Sequence, residues 1–221
     1  MLGLGIYHLD EVSAYTGIPK PTLRSWFKPR SDHVGRGPVF ASDYRALNGD
    51  YAVSFLNLID AYVLSFFRKR GVKPAVIRRA YTILQAELHT THPFAHADLC
   101  TDGNSIIRES KKAGRINLID VIDRQMVFSE LQPYMDRIDY GSATRLAEAW
   151  RIANGVVIRP TVGFGKPVIE NTGISTYVIA NQFKANKRDA GLVARLFDIA
   201  ESDVVNAVEF EAKYLRHRLA A

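Results

Sequence analysis

The chain has 221 residues, 47% of them apolar, and carries 29 Lys and Arg against 23 Asp and Glu for a net charge of +6; that is apolar material for one to three cored units. A single cysteine, Cys100, excludes an internal disulfide and fits a reducing compartment. No stretch approaches the ~20 apolar residues of a membrane helix, and the opening MLGLGIYHLDE lacks the basic and apolar regions of a secretion signal, so the expected location is cytoplasmic, with no membrane partner.

Tyr7 to Trp26, YHLDEVSAYTGIPKPTLRSW, reads as two short helices around a tight turn. Leu9, Val12 and Tyr15 recur at helical spacing, and Asp10 and Glu11 sit where negative charge favours a helix start. Gly17 supplies a residue that tolerates positive φ and ends the first helix. Lys20-Pro21-Thr22 opens the second, with Pro in the first turn, where its missing N–H costs little. Leu23 and Trp26 turn back onto Leu9 and Val12, leaving Lys20, Thr22, Arg24, Ser25 and Lys28 outward, as a recognition helix is presented to a DNA major groove. Thr22 has a second use open to it, capping its own helix.

The string resembles the start of MerR-type winged helix-turn-helix proteins. Tyr7, Leu9, Val12, Thr16-Gly17-Ile18, Thr22-Leu23-Arg24 and Trp26 carry the likeness. The resemblance implies that basic residues of the second helix touch phosphates and base edges of double-stranded operator DNA. Charge agrees: residues 1–88 hold 12 Lys and Arg against 7 Asp and Glu, whereas residues 89–155 hold 8 against 9.

From Lys28 to Asp50 the pattern loosens around Gly35, Gly37 and Pro38. Val39-Phe40 reads as a short strand and Asn48-Gly49 as a turn, predicting a two-stranded wing with Arg30 and Arg36 beside the groove. Ser54 then caps a helix, SFLNLIDAYVLSFFRKRG, closed by Gly71 after the basic Arg68-Lys69-Arg70. A second helix runs from Pro74 to about His89, with Arg78 and Arg79 against its dipole. The first helix is apolar almost all round and must be buried on several sides. Part of it is expected to form a homodimer surface, which would set two reading heads on a palindromic site.

His89, His92, His96, Asp98 and Cys100 fall within twelve residues. Pro93 interrupts any shared helical face and only one cysteine exists, so the segment reads as a loop with helix-end histidines and no metal site is assigned. Residues 101–120 carry a hairpin signature, a helix follows from Val121 to Met135, and Arg137 to Tyr140 reads as a strand. Asp120, Asp123, Glu130, Asp136 and Asp139 lie among basic residues as an ion-paired surface. No nucleophile–base pair, phosphate-binding glycine loop or cofactor motif stands out, so an enzyme is not expected.

The last third begins with a strand at Val156 to Ile158 and a Pro/Gly-rich hairpin. Ser175-Thr176 caps a helix with Val178, Ile179 and Phe183 on its apolar face. Further helices are expected near Asp189–Phe197 and Ser202–Arg216, the latter capped by Ser202 or Asp203. The predicted class is mainly α within α+β. It divides into a head and linker helices over 1–90, a small mixed region over 91–155, and a three-helix, helix-turn-helix-like unit over 156–221.

That last unit resembles a small domain of unknown function common in bacterial VapB-type antitoxins. The likeness rests on Pro160, Phe164-Gly165-Lys166-Pro167, Gly173-Ile174-Ser175-Thr176, Phe197-Asp198-Ile199 and Val204-Val205 through Glu211. Ser54 to Leu58, His92-Pro93-Phe94, Thr101-Asp102-Gly103 and Arg145 to Trp150 extend it to the longer members with a MerR-like head. A glycine common after the first helix of the unit is here Asn186, which also tolerates the left-handed turn. The resemblance implies an antitoxin that binds a PIN-like ribonuclease toxin and represses its own operon. Lys213, Arg216 and Arg218 on the terminal helix would meet the toxin's acidic site, or else simply complement the helix dipole. The alternative is a MerR-like regulator that responds to a small ligand and has no toxin.

Overall fold

The computed structural model describes residues 5–28, 39–40, 42–44, 51–101 and 124–220. Among them the fold is mainly helical with two small antiparallel sheets, the expected α+β class. No helix among them is long and apolar enough to cross a membrane.

Strand β1 (Tyr7–His8) leads into α1 (Leu9–Thr16), and α2 (Lys20–Phe27) follows after a three-residue turn. Strand β2 (Ala52–Val53) pairs antiparallel with β1, Tyr7 opposite Val53, and brings the chain back beside the first helix. Ser54 then caps α3 (Phe55–Lys69), its hydroxyl accepting the Asn57 amide at 3.1 Å. At the other end of α3 the Arg68 guanidinium donates to the Val72 carbonyl at 2.9 Å, and Gly71 takes φ 77°. A positive charge is thereby held at the negative end of the dipole.

α3 is the axis of the molecule: Phe55, Leu58, Ile59, Ala61, Val63, Leu64 and Phe66 are all buried. The expectation that its apolarity calls for a homodimer surface is not met, because this one chain covers it. Helix α1 lies on one side of it, the 3₁₀ turn Pro93–Ala95 and α4 (Pro74–Glu87) on another, and the C-terminal sheet on a third.

After α5 (Asp98–Thr101), the expected hairpin over 101–120 lies outside the described residues. Helix α6 (Arg124–Met135) precedes a four-stranded antiparallel sheet of order β3 (Ile138–Tyr140), β4 (Ala147–Ala153), β5 (Val156–Ile158), β6 (Val168–Ile169). Strand β4 was not expected. The division at 155/156 falls in the Asn154-Gly155 turn between the paired strands β4 and β5, so the middle and C-terminal regions share one sheet. Ile138, Trp150 and Ile158 align across three strands on one face of that sheet, and the Trp150 ring packs on Tyr62 of α3 at 4.5 Å. Ala149, Val157 and Val168 form a smaller cluster apart from this core.

Helices α7 (Thr176–Ala185), α8 (Ala190–Phe197) and α9 (Glu201–Ala220) close the chain. Asp189 caps α8 by accepting the Leu192 amide at 2.9 Å, and Asp203 reaches back to the Ala200 amide at 3.2 Å. Ser175 holds the N-cap position of α7 without a side-chain bond. The Thr176 hydroxyl instead donates to Glu211 at 2.6 Å, tying the start of α7 to α9.

Candidate nucleic-acid interface

The helix pair is built from local chemistry. The Glu11 carboxylate accepts the His8 amide at 3.0 Å, closing the start of α1. At its end Gly17 adopts φ 71° and donates to the Ser13 carbonyl, a conformation costly for residues with a Cβ. Thr16 braces the turn, donating to the Val12 carbonyl at 2.7 Å and accepting the Ile18 amide at 3.3 Å. α2 begins at Lys20 with Pro19 in the N-cap position and Pro21 in its first turn; Thr22 therefore does not cap it.

Leu23, Trp26 and Phe27 are buried, and Arg24, Ser25 and Lys28 are exposed, with Lys20 and Thr22 half-buried beside them. Lys20, Arg24 and Lys28 stand four residues apart, so they form one stripe roughly 12 Å long. Lys20 is tied to Asp10 at 2.7 Å, which holds it at the edge of that stripe. Ser25 donates to the Thr22 carbonyl at 2.6 Å, so its hydroxyl proton is engaged by its own helix.

The wing is where expectation and structure differ. Val39 and Phe40 are buried but form no strand; their amides both donate to the Trp26 carbonyl, at 2.8 and 3.2 Å, and so finish α2. Phe40 is surrounded by the rings of Trp26, Phe27, Tyr81 and Phe94, which explains why an apolar pair returns here. Arg30, Arg36 and the Asn48-Gly49 turn lie outside the described residues.

The helix pair is fastened to the far end of the chain. Tyr7 donates its hydroxyl proton to the Gly165 carbonyl at 2.8 Å, and Lys166 pairs with Glu11. Gly165 sits at φ 77°, where an added Cβ would come within 2.5 Å of the Tyr7 hydroxyl. The Gly165-Lys166 pair of the C-terminal unit is thus the seat of the N-terminal helices, a role its sequence does not announce. Lys213 is exposed on α9 next to buried Tyr214; Arg216 and Arg218 continue the same helix, their side chains outside the described residues.

Of the histidines, His89 is exposed at φ 50°, and His96 accepts the Asp98 amide at 3.2 Å. His92 is buried between two carboxylates, Nδ1 at 2.8 Å from Asp60 and Nε2 at 3.2 Å from Asp43. Asp60 also accepts the Phe94 amide at 3.1 Å and lies 2.9 Å from the Tyr81 hydroxyl, while Ser54 donates to Asp43. Burial pushes Asp60 up, against the bonds from His92, Tyr81 and Phe94. Burial opposes charge on His92 too, yet its bonds to Asp43 and Asp60 raise it to about 9. Burial likewise raises Asp43, but bonds from His92 and Ser54 bring it below its ordinary value. An imidazolium between two carboxylates gives both ring N–H groups an acceptor. The cluster joins α3, α4, residues 42–44 and the 3₁₀ turn, and the Ser54 hydroxyl faces a carboxylate rather than the imidazole. Among the described residues, no three His, Cys, Asp or Glu side chains group as a metal site.

Comparison with known proteins adds to this geometry. Residues 156–210 match the family described as "Protein of unknown function (DUF433)". The chain is 28% identical over 200 residues to "Putative antitoxin VapB45" of Mycobacterium tuberculosis, spanning 81% of this chain and 83% of that protein. The chain resembles an antitoxin. The likeness is too long to be confined to the C-terminal unit. In fold, the chain is similar to the crystal structure of Rv2018 from Mycobacterium tuberculosis, with a TM-score of 0.72 at 23% identity, covering 91% of this chain and 96% of that one.

Proposed function

We propose that this protein is an antitoxin that neutralises a PIN-like ribonuclease toxin and binds operator DNA as an autorepressor, acting as a binding protein rather than an enzyme. The observation that carries the reading is the similarity to "Putative antitoxin VapB45" over 81% of the chain, a span that takes in more than either end alone. The outward stripe of Lys20, Arg24 and Lys28, with Thr22 and Ser25 beside it, supports the DNA-binding half. Cations at helical spacing over a buried apolar face fit phosphates, and the polar side chains between them fit base edges. Arg30 and Arg36 extend the same basic segment.

For the toxin, Lys213, Arg216 and Arg218 offer positive charge near the chain's end, which suits a nuclease site built from carboxylates. The exposed Tyr177, Val178, Leu196 and Val205 of the three-helix unit provide apolar contact area nearby in sequence. A two-fold dimer would pair two heads on a palindrome, with α2 rather than α3 left available to face outward.

Co-expression with the product of the neighbouring gene, followed by co-purification and a growth assay, tests this reading. A stable complex that restores growth is expected. A neighbour that is not toxic, or that is toxic but neither bound nor relieved, overturns the antitoxin half.

A further inference from the structure

A cavity of about 420 Å³ opens beneath the helix pair, between the end of α1, helix α3, the sheet and α9. This volume lies within the range of small-molecule sites. Its walls are aromatic: Tyr15, Tyr62, Tyr134, Trp150 and Tyr214. Three cations reach it from separate elements: Lys69 at the end of α3, Arg137 between α6 and β3, and Lys213 on α9. Among the described residues no Asp or Glu lines it. Elsewhere the chain pairs its cations readily, Arg70 with Glu130 and Arg151 with Asp139 and Glu170. None of the three cavity cations pairs with a carboxylate among the described residues.

The remaining polar side chains are neutral hydroxyls and an indole N–H. Trp150 is buried, and its indole N–H is within weak reach of the Tyr62 hydroxyl without a full hydrogen bond among the described residues. Burial pushes the Tyr62 hydroxyl up to about 12 and raises those of Tyr15 and Tyr214 further, so all three keep their protons across the physiological range. Three cations without a carboxylate, together with phenols and an indole N–H around flat apolar walls, ask for an occupant that supplies negative charge, acceptors and a ring face.

We infer that this cavity binds a small planar aromatic anion, of the class of aromatic carboxylates. The ring would lie among Tyr62, Trp150 and Tyr214, and the acid group would meet Arg137 with Lys69 or Lys213. Such an occupant would also touch Thr16 and Gly17, the turn that sets α2 against α1.

Calorimetric titration of the full chain with 2-naphthoate, and with its neutral isostere 2-naphthamide, tests the site directly and needs neither DNA nor toxin. Saturable 1:1 binding of the naphthoate is expected, with the amide at least ~10-fold weaker, since each tenfold is one lost charge-assisted contact. Arg137→Gln should weaken naphthoate binding at least ~10-fold with an unchanged circular dichroism spectrum; Lys184→Gln, exposed on α7, should not. Arg137 has no part in the toxin reading, whereas Lys213→Gln would touch both, so a loss confined to Arg137→Gln separates them. No saturable binding, equal binding of the amide, or indifference to Arg137→Gln overturns the inference. So does an aspartate-rich peptide binding through the same cations where naphthoate does not, which would make the cavity a seat for an acidic protein segment.

Discussion

Tyr15 of α1 and Tyr214 of α9 meet edge to face, ring centroids 5.1 Å apart and planes at 79°. Phe210 packs on Tyr214 at 4.1 Å, so the contact belongs to a buried aromatic group rather than a surface touch. With the Tyr7–Gly165 hydrogen bond and the Lys166–Glu11 pair, it fixes the N-terminal helices on the C-terminal unit. Truncating a buried aromatic side chain of this size costs about 3–5 kcal/mol. Tyr214→Ala is therefore expected to lower the urea midpoint sharply. Tyr214→Phe, which keeps the ring and removes a hydroxyl with no hydrogen bond among the described residues, should cost under about 1 kcal/mol. Equal losses in the two variants would show that the ring contact is not what holds the junction.

What the sequence made legible was local. The end of α1 at Gly17, the Ser54 cap and the all-round apolarity of α3 were readable because each rests on residues within one or two turns. Strand β4 was missed although AEAWRIA followed by Asn154-Gly155 carries a hairpin signal; its Ala-rich face is weak in β propensity. Val39-Phe40 looked like a wing strand, and only the aromatic group around Phe40 explains its return to Trp26. The cavity could not be read at all, since Tyr15, Tyr62, Arg137, Trp150 and Lys213 come from five distant places in the chain. His92 was visible as a histidine but not as an ion pair with Asp60, 32 positions away.

That ion pair makes stability depend on pH in a definite direction. Although burial opposes the charge, Asp43 and Asp60 raise His92 from its ordinary 6.5 to about 9. Between those values the folded chain holds a proton that the unfolded chain has released, so stability falls as pH rises. The contribution is fully present below pH 6.5 and gone above pH 9, up to about 3 kcal/mol in all. Urea melts at pH 6 and pH 9 should show that loss. In His92→Gln the loss between pH 6.5 and pH 9 should shrink, what remains coming from the buried Asp60 carboxyl, and stability at pH 6 should drop by about 3 kcal/mol, because Asp60 is left buried without its partner charge. A wild-type profile flat across this window would rule out the imidazolium.

The turn after α7 offers a test of backbone strain. Asn186 was expected to take the left-handed conformation, but its φ is −97°, and Lys187 and Arg188 take 54° and 64° instead. A left-handed residue with a Cβ costs roughly 1–2 kcal/mol, part of which glycine returns in unfolded-chain entropy. Lys187→Gly is accordingly expected to stabilise by about 0.5–1 kcal/mol. Asn186→Gly should destabilise, since it relieves no strain and loses the bond from the Asn186 amide side chain to the Gln182 carbonyl at 2.8 Å. Thermal melts of the two variants should move in opposite directions; the reverse order would contradict this account of the turn.

Arg24 is the residue on which the DNA-binding proposal is most exposed to failure. It stands mid-stripe on α2, exposed, with Leu23 and Trp26 turned inward to hold its helix. Replacing it by alanine removes one contact to phosphate or base, an expected loss of about 1–3 kcal/mol or roughly 10-fold or more in operator affinity. Stability should change by no more than about 1 kcal/mol, because Arg24 is exposed and no core atom is lost. If the contact is to a phosphate, the slope of log affinity against log salt should fall by about 1 and every sequence should weaken alike; if it is to a base edge, the slope should hold and one operator position should lose its preference. Fluorescence anisotropy on an operator fragment at three salt concentrations separates these cases. Unchanged affinity for Arg24→Ala, together with unchanged affinity for Lys28→Ala, would remove α2 as the reading helix.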